Sequence, residues 1–311
     1  MQKLKVLLLM GGGGSEHEVS LSSGEEVLKN FDKEKYQVIP MIMENQNLNI
    51  DKVKEISPDV VFIALHGGVG EDGTIQKIFE NEGIKFIGCD SEASKLGMDK
   101  IKFLELISKE GIPTGKRLLV MKGELVDLDQ VKMLGDKWVV KPASQGSSVG
   151  VTIIDNLDNL DKALEVAFEF DDRVIIEEFL KGVEVSSGVL GNLWVKSRQL
   201  IALPVIEICS KNSFFDYEAK YTIGKCDEIV PARLSEETTR KIQQYSLKIF
   251  KLVKARGFVR FDLIIKSDQP YFLEMNTIPG LTPNSLLPKE AKAAGIDYPS
   301  LLDKMIELAM E

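Results

Sequence analysis

Asp262, Glu274 and Asn276, with Arg260 beside them, have the types and spacing to hold a hard cation. They fall in two runs, GFVRFDLIIK and PYFLEMNTIPG, that are apolar and rich in β-branched and aromatic residues, so both read as strands. Ser267, Asp268 and Gln269 between them read as a turn. Alternation puts Arg260 and Asp262 on one strand face, and likewise Glu274 and Asn276. Paired as a hairpin, the strands would bring two carboxylates, an amide oxygen and a guanidinium together. That set suits a divalent cation that keeps waters and takes phosphate oxygens. A solvated hairpin face closed by a salt bridge is the competing reading. The polar positions lie inside apolar strands, where unpaired charge is costly, and this favours the cation site.

Other segments carry chemistry of their own. Lys141-Pro142-Ala143-Ser144-Gln145-Gly146-Ser147-Ser148-Val149-Gly150 follows a predicted strand. Its backbone N–H groups could form an anion nest beside the Lys141 charge; a plain turn is the alternative. It is not a P-loop, because the lysine precedes the loop. His66 to Gly73 contains G-x-G-x-x-G with Asp90 further on, formally a dinucleotide fingerprint. Glu71 and Asp72 argue against that reading, since their charge would repel a pyrophosphate. Gly11–Gly14 does not fit the motif; it would let backbone approach a small ligand, with Glu16 available to an ammonium. Around Glu177-Glu178-Phe179-Leu180 and Glu184, backbone groups could meet a purine and a carboxylate the ribose hydroxyls. A solvated strand end explains that segment equally well. In Phe214 to Thr222, anchoring to the core explains the two phenylalanines better than it explains Lys220 and Tyr221.

The elements that must position these residues are readable in outline. Lys5–Met10 reads as a buried parallel strand, followed by a glycine loop and a helix over Val19–Asn30. Tyr36–Ile42, Asp59–Leu65 and Ile84–Ile87 read as strands, with a helix at Thr74–Asn81. This alternation predicts an open parallel sheet over roughly the first 95 residues, with Glu16, His17 and His66 in loops at its carboxyl end. A helix over Lys100–Glu110 stops at Gly111 and Pro113. Strands at Lys116–Met121, Trp138–Lys141, Val149–Ile153 and Arg173–Glu177, with a helix over Leu157–Phe168, predict an α+β unit ending near Leu180. Then come strands Glu184–Leu190, Leu193–Val195 and Ala202–Ile208, and an irregular stretch, Cys209–Leu234, that reads as a lid. A helix over Glu236–Arg256, the hairpin and one terminal helix complete the chain.

Composition limits the function classes. With 311 residues, 44% hydrophobic and 28% charged, the chain reads as a soluble globular protein of two or three subdomains. A net charge of −9 and scattered basic residues argue against nucleic acid as a partner. Cys89, Cys209 and Cys226 are dispersed, which favours reduced thiols over disulfides or a zinc site. The apolar N-terminal run is too short to span a membrane and lacks a cleavage site, so a cytoplasmic protein is expected.

Together the segments GGGGSEHEVSLSSG, ALHGGVGEDGTIQ, KPASQGSSVGV, FFDYEAKYT, RFDLI and LEMNTIPGLTPNSLLP resemble an ATP-grasp enzyme, and closely the D-alanine–D-alanine ligase family. They occur in the family's order over nearly the whole chain. The resemblance implies an α/β and α+β chain: an N-terminal open-sheet domain (1–98) and two ATP-grasp subdomains (99–180 and 181–311), the second carrying a lid at 209–234. It implies that ATP phosphorylates one D-alanine and that the amine of a second displaces the phosphate, for peptidoglycan synthesis. Asp262, Glu274 and Asn276 would hold two Mg²⁺ or Mn²⁺ ions. Lys100, Lys141, Ser148 and Lys220 would contact ATP at its phosphates, and Glu177, Leu180 and Glu184 at its adenosine. Glu16, near His66, would bind the first ammonium, with Ser147 and Tyr221 in one hydrogen-bonded set. Arg260 and the backbone near Gly280 would stabilise the oxyanion, and Ser285 and Leu286 would take the second carboxylate. Tyr221 resembles the dipeptide-forming ligases, implying D-alanine rather than D-lactate as second substrate. A homodimer is implied by resemblance alone.

Overall fold

The computed structural model describes residues 3–14, 16–193, 200–210 and 226–311, with only the backbone of Ser210 and Cys226. Strands β1 (Leu4–Gly11), β2 (Tyr36–Met43) and β3 (Val60–Ile63) form a parallel sheet in the order β2-β1-β3, crossed over by helices α1 (His17–Asn30) and α2 (Ile50–Ile56). The run LKVLLLMG is apolar on both faces because β1 is the middle strand, with Val6 to Leu9 fully buried. His17, expected in the loop, is the first residue of α1. The expected strand Ile84–Ile87 is only a bridge between Val61 and Phe86. Gly83 and Gly88, at φ 64° and 83°, turn the chain on either side and leave no room for a ladder. Helix α3 (Thr74–Asn81) precedes this bridge; α4 (Ser91–Met98) and α5 (Lys100–Lys109) follow it.

The second sheet is antiparallel, ordered β4-β7-β5-β6, from β4 (Arg117–Met121), β5 (Trp138–Pro142), β6 (Thr152–Ile154) and β7 (Arg173–Glu178). Helices α6 (Leu128–Lys132) and α7 (Leu160–Phe168) close its core, in which Val131, Leu160, Ala163 and Ala167 are buried. The third sheet is also antiparallel, ordered β11-β10-β8-β12-β13, with β9 beside β8. Its strands are β8 (Val183–Gly191), β9 (Ile201–Ala202), β10 (Ile206–Ser210), β11 (Cys226–Ile229), β12 (Gly257–Lys266) and β13 (Gln269–Asn276), with helix α8 (Glu236–Leu252) against it. The stretch read as an irregular lid therefore begins and ends in strand: β10 and β11 pair with Cys209 opposite Asp227. Residues 211–225, and most of the expected strand Leu193–Val195, lie outside the described residues. The single terminal helix expected is two, α9 (Leu286–Ala293) and α10 (Tyr298–Met310). Gly295 breaks the run at φ 83°, and Asp297 caps α10 by accepting the Ser300 N–H at 2.9 Å.

The β12–β13 hairpin positions the cation set in an unexpected way. Its turn is two residues, Ser267 and Asp268, both left-handed at φ 52° and 59°, with Lys266 opposite Gln269. Regular pairing from that turn would set Asp262 opposite Leu273 and send Glu274 to the other face. A bulge intervenes: Leu263 faces Phe272, but Asp262 faces Glu274 and Arg260 faces Asn276. The extra residue, Leu273, brings all four polar side chains to one face.

Candidate active site

A cavity of about 840 Å³ opens between the second and third sheets, within the range of small-molecule sites. Its walls include Val139, Phe179, Leu180, Ile264 and Leu273, all apolar. Its polar lining includes Lys100, Lys141, Ser148, Glu177, Glu184, Asp262 and Glu274. These polar residues come from segments far apart in the sequence. Lys141, at the end of buried β5, reaches Glu177 on β7 at 2.6 Å. Lys100 opens α5, whose cap Asp99 is held by Arg173 at 2.9 Å. Its ammonium donates to the Gln145 carbonyl at 2.6 Å and lies 3.2 Å from Glu274, so it ties the loop to the hairpin. In that loop Ser147 and Ser148 sit at φ 48° and 59°, strained positions for non-glycine residues.

The hairpin face is not freely solvated: Asp262 is buried and Arg260, Glu274 and Asn276 are partly buried, and the salt bridge of the competing reading is present. Arg260 donates from Nε and Nη2 to both oxygens of Asp262, each at 2.8 Å. Asn276 Nδ2 donates to Asp262 Oδ2 at 3.0 Å. Burial works against the Arg260 charge, but Asp262 outweighs it and the guanidinium stays protonated. Arg260, expected to serve an oxyanion, thus holds a carboxylate of the candidate cation set here. Among the described residues no group of three or more His, Cys, Asp or Glu side chains forms a metal cluster. The candidate set is two carboxylates and an amide.

A second cluster lies at the carboxyl end of the first sheet. Ser147 Oγ donates to Glu16 Oε1, joining the phosphate loop to the N-terminal segment. Gly67 sits at φ 67°, which favours glycine, and a Cβ there would fall 2.2 Å from Glu16 Oε2 and displace that carboxylate. His66 Nδ1 meets the Ile278 carbonyl at 3.2 Å and must carry the proton; Nε2 accepts from Ser23 Oγ at 2.8 Å. Burial, partly offset by Glu16, holds this imidazole below its ordinary pKa and therefore neutral. Glu71 was read only as an obstacle to a pyrophosphate. Its carboxylate turns inward to accept the Gly67 N–H at 3.0 Å, and burial together with Glu16 pushes it up to about 8. The motif's glycines serve a folded acidic loop, which disposes of the dinucleotide reading.

The remaining residues gather beyond β13. Gly280 packs on Ser285, where a Cβ would approach Oγ to 2.8 Å. Ser285 precedes α9, with Oγ 2.9 Å from Thr282 Oγ1, and Leu286 is the first helical residue. Lys220 and Tyr221 lie outside the described residues.

Two antiparallel sheets closing on a cavity, with an open parallel sheet before them, define an ATP-grasp enzyme. The chain belongs to the D-alanine–D-alanine ligase family: the model for "D-ala D-ala ligase C-terminus" matches residues 106–307, and that for the N-terminus matches 5–55 and 44–89. A D-alanine–D-alanine ligase of Syntrophobacter fumaroxidans is 42% identical, over 100% of this chain and 99% of its own. The crystal structure of the Bacillus anthracis D-alanine–D-alanine ligase complexed with ATP superposes with a TM-score of 0.86 at 36% identity, covering 100% of this chain and 98% of that one. A D-Ala:D-Ser ligase from Enterococcus faecalis superposes at 0.84 and 33% identity, covering 99% and 100%. No helix among the described residues is long and apolar enough to cross a membrane.

Proposed function

We propose that this protein joins two D-alanine molecules into D-alanyl-D-alanine, converting ATP to ADP and phosphate, and so supplies peptidoglycan precursor. The observation that carries this reading is one cavity shared by Lys100, Lys141, Glu177, Glu184, Asp262 and Glu274 in a chain of this family. Adenosine would lie against Leu180, Glu177 and Glu184, with the phosphates against Lys100, Lys141 and Ser148 and Lys220 joining from the lid. Asp262, Glu274 and Asn276 would hold two Mg²⁺ or Mn²⁺ ions, whose charge offsets that developing in phosphoryl transfer. Two carboxylates and an amide oxygen fit such ions, which complete their shells with waters and phosphate oxygens. Both carboxylates face a protein cation, so with the site occupied Lys100 would turn from Glu274 to phosphate, and Arg260 from Asp262 to the reacting carbonyl.

Glu16, with His66, Ser147 and Tyr221, would hold the first D-alanine by its ammonium. Its carboxylate oxygen attacks the γ-phosphorus and ADP leaves, giving an acyl phosphate. The second D-alanine, its carboxylate at Ser285 and Leu286, attacks through its amine; phosphate then leaves the tetrahedral carbon. Arg260 and an N–H near Gly280 would stabilise the oxyanion, each donor contributing about 3–4 kcal/mol. A closed lid would protect the acyl phosphate from water. Family likeness further supports a cytoplasmic homodimer and a division at 1–98, 99–180 and 181–311. The test supplies ATP, Mg²⁺ and D-alanine, alone or with D-serine or D-lactate, and measures phosphate and product. D-Alanine-dependent phosphate release with D-alanyl-D-alanine predominating is expected; none at all overturns the ligase reading, and a mixed product overturns the second substrate.

A further inference from the structure

Glu290, on α9, is fully buried, and no step above uses it. The helix packs against β8, the strand that pairs with β12 of the hairpin. Pairing sets Gly188 of β8 opposite Arg260 and Ser186 opposite Asp262, so these residues share that face. Gly188 leaves the room Glu290 needs: a Cβ there would lie 2.4 Å from Glu290 Oε2. The Ser186 hydroxyl and the Gly188 N–H lie beside the carboxyl. Neither oxygen is met in good hydrogen-bond geometry among the described residues. Burial pushes this carboxyl well above the usual range, and the strongest charge acting on it is the Arg260 guanidinium. Two carboxyl groups therefore act on one guanidinium: Asp262, hydrogen-bonded to it from its own strand, and Glu290, from the helix layer beside Gly188, the residue opposite Arg260. Only Asp262 belongs to the cation set.

We propose that Glu290 is a positioning residue for Arg260, the acceptor that fixes the guanidinium toward the reacting carbonyl once Asp262 turns to a cation. The proposal rests on the ligase reading. It gives α9 a second role, because the helix that begins just after Ser285 then registers the second-substrate site against the oxyanion donor. Glu290→Leu removes the acceptor at similar volume, whereas Glu290→Gln keeps an acceptor oxygen. Both are compared with Arg260→Ala and with the Glu290→Leu/Arg260→Ala double variant, reading kcat, KM, Tm and ATP affinity by equilibrium titration. Glu290→Leu is expected to lower kcat about tenfold or more with ATP affinity unchanged, and Glu290→Gln to stay within about threefold. The double variant should be no worse than Arg260→Ala alone. Additive losses, wild-type kcat in Glu290→Leu, or equal losses in the Leu and Gln variants overturn the assignment. Absence of ligation by the wild type would overturn the ligase reading and this proposal with it; wild-type ligation with additive losses overturns the proposal alone.

Discussion

Three ion pairs stand at this site: Lys100 faces Glu274, Lys141 faces Glu177, and Arg260 faces Asp262. Removing one member leaves its partner buried and unpaired, which costs more than the pair itself contributes. Glu274→Gln should therefore cut kcat about 10²–10³-fold, by analogy with loss of one preorganised electrostatic group. The fold should survive, since glutamine keeps the shape; activity within threefold of wild type would refute the metal assignment. Glu71 offers a pH test. Burial, with Glu16, raises its folded pKa to about 8 from the ordinary 4.5. Between those values the unfolded chain releases the proton and the folded chain keeps it, so stability falls as pH rises from 4.5 toward 8. Glu71→Gln should flatten that stretch of the Tm-versus-pH curve, and an unchanged slope would remove Glu71 as its cause. The sequence marked Glu16, Lys141 and Asp262 because a charged residue beside glycines or inside an apolar strand needs a chemical reason. It did not mark Glu71 or Glu290, whose surroundings form only on folding: α9 reads as an ordinary amphipathic helix.

Elements were legible where a strong local signal set them. β1 and the hairpin strands declare themselves by apolar runs, and α5 by its stop at Gly111. The short helices α2, α4 and α6 were not read, although Asn49, Asp90 and Asp127 cap them by accepting backbone N–H groups. Such caps are visible only when sought before a weak pattern. The hairpin is legible in the sequence, but its register is not. A three-residue turn at 267–269 with regular pairing also brings Asp262 opposite Glu274; the molecule reaches that pair with a two-residue turn and a bulge. Leu273 carries no glycine or proline signal that would betray it. The turn itself is a stability prediction. Ser267 and Asp268 both hold positive φ, which suits Asn-Gly far better. The double replacement Ser267→Asn with Asp268→Gly should stabilise the fold by about 1 kcal/mol and leave kcat unchanged, as denaturant unfolding and steady-state rates would reveal.

At the scale of the molecule, the cavity is built by two sheets that share no strand, so whatever fills it couples them. A nonhydrolysable ATP analogue with Mg²⁺, at about a hundred times its Kd, should raise the free energy of unfolding by about 2.7 kcal/mol. Thermal denaturation would detect this, and no shift would mean that the cavity does not bind nucleotide. α10 packs on both β3 and β12, which secures the first sheet to the third. That contact, made at the very end of the chain, was invisible in a sequence read from local signals. The bulge at Leu273 has a consequence for recognising such sites elsewhere. It absorbs one residue between Asp262 and Glu274 while leaving them side by side. A search pattern that fixes the interval between the aspartate and the glutamate would thus encode an accident of length, and homologous hairpins one residue shorter could present the same pair unnoticed.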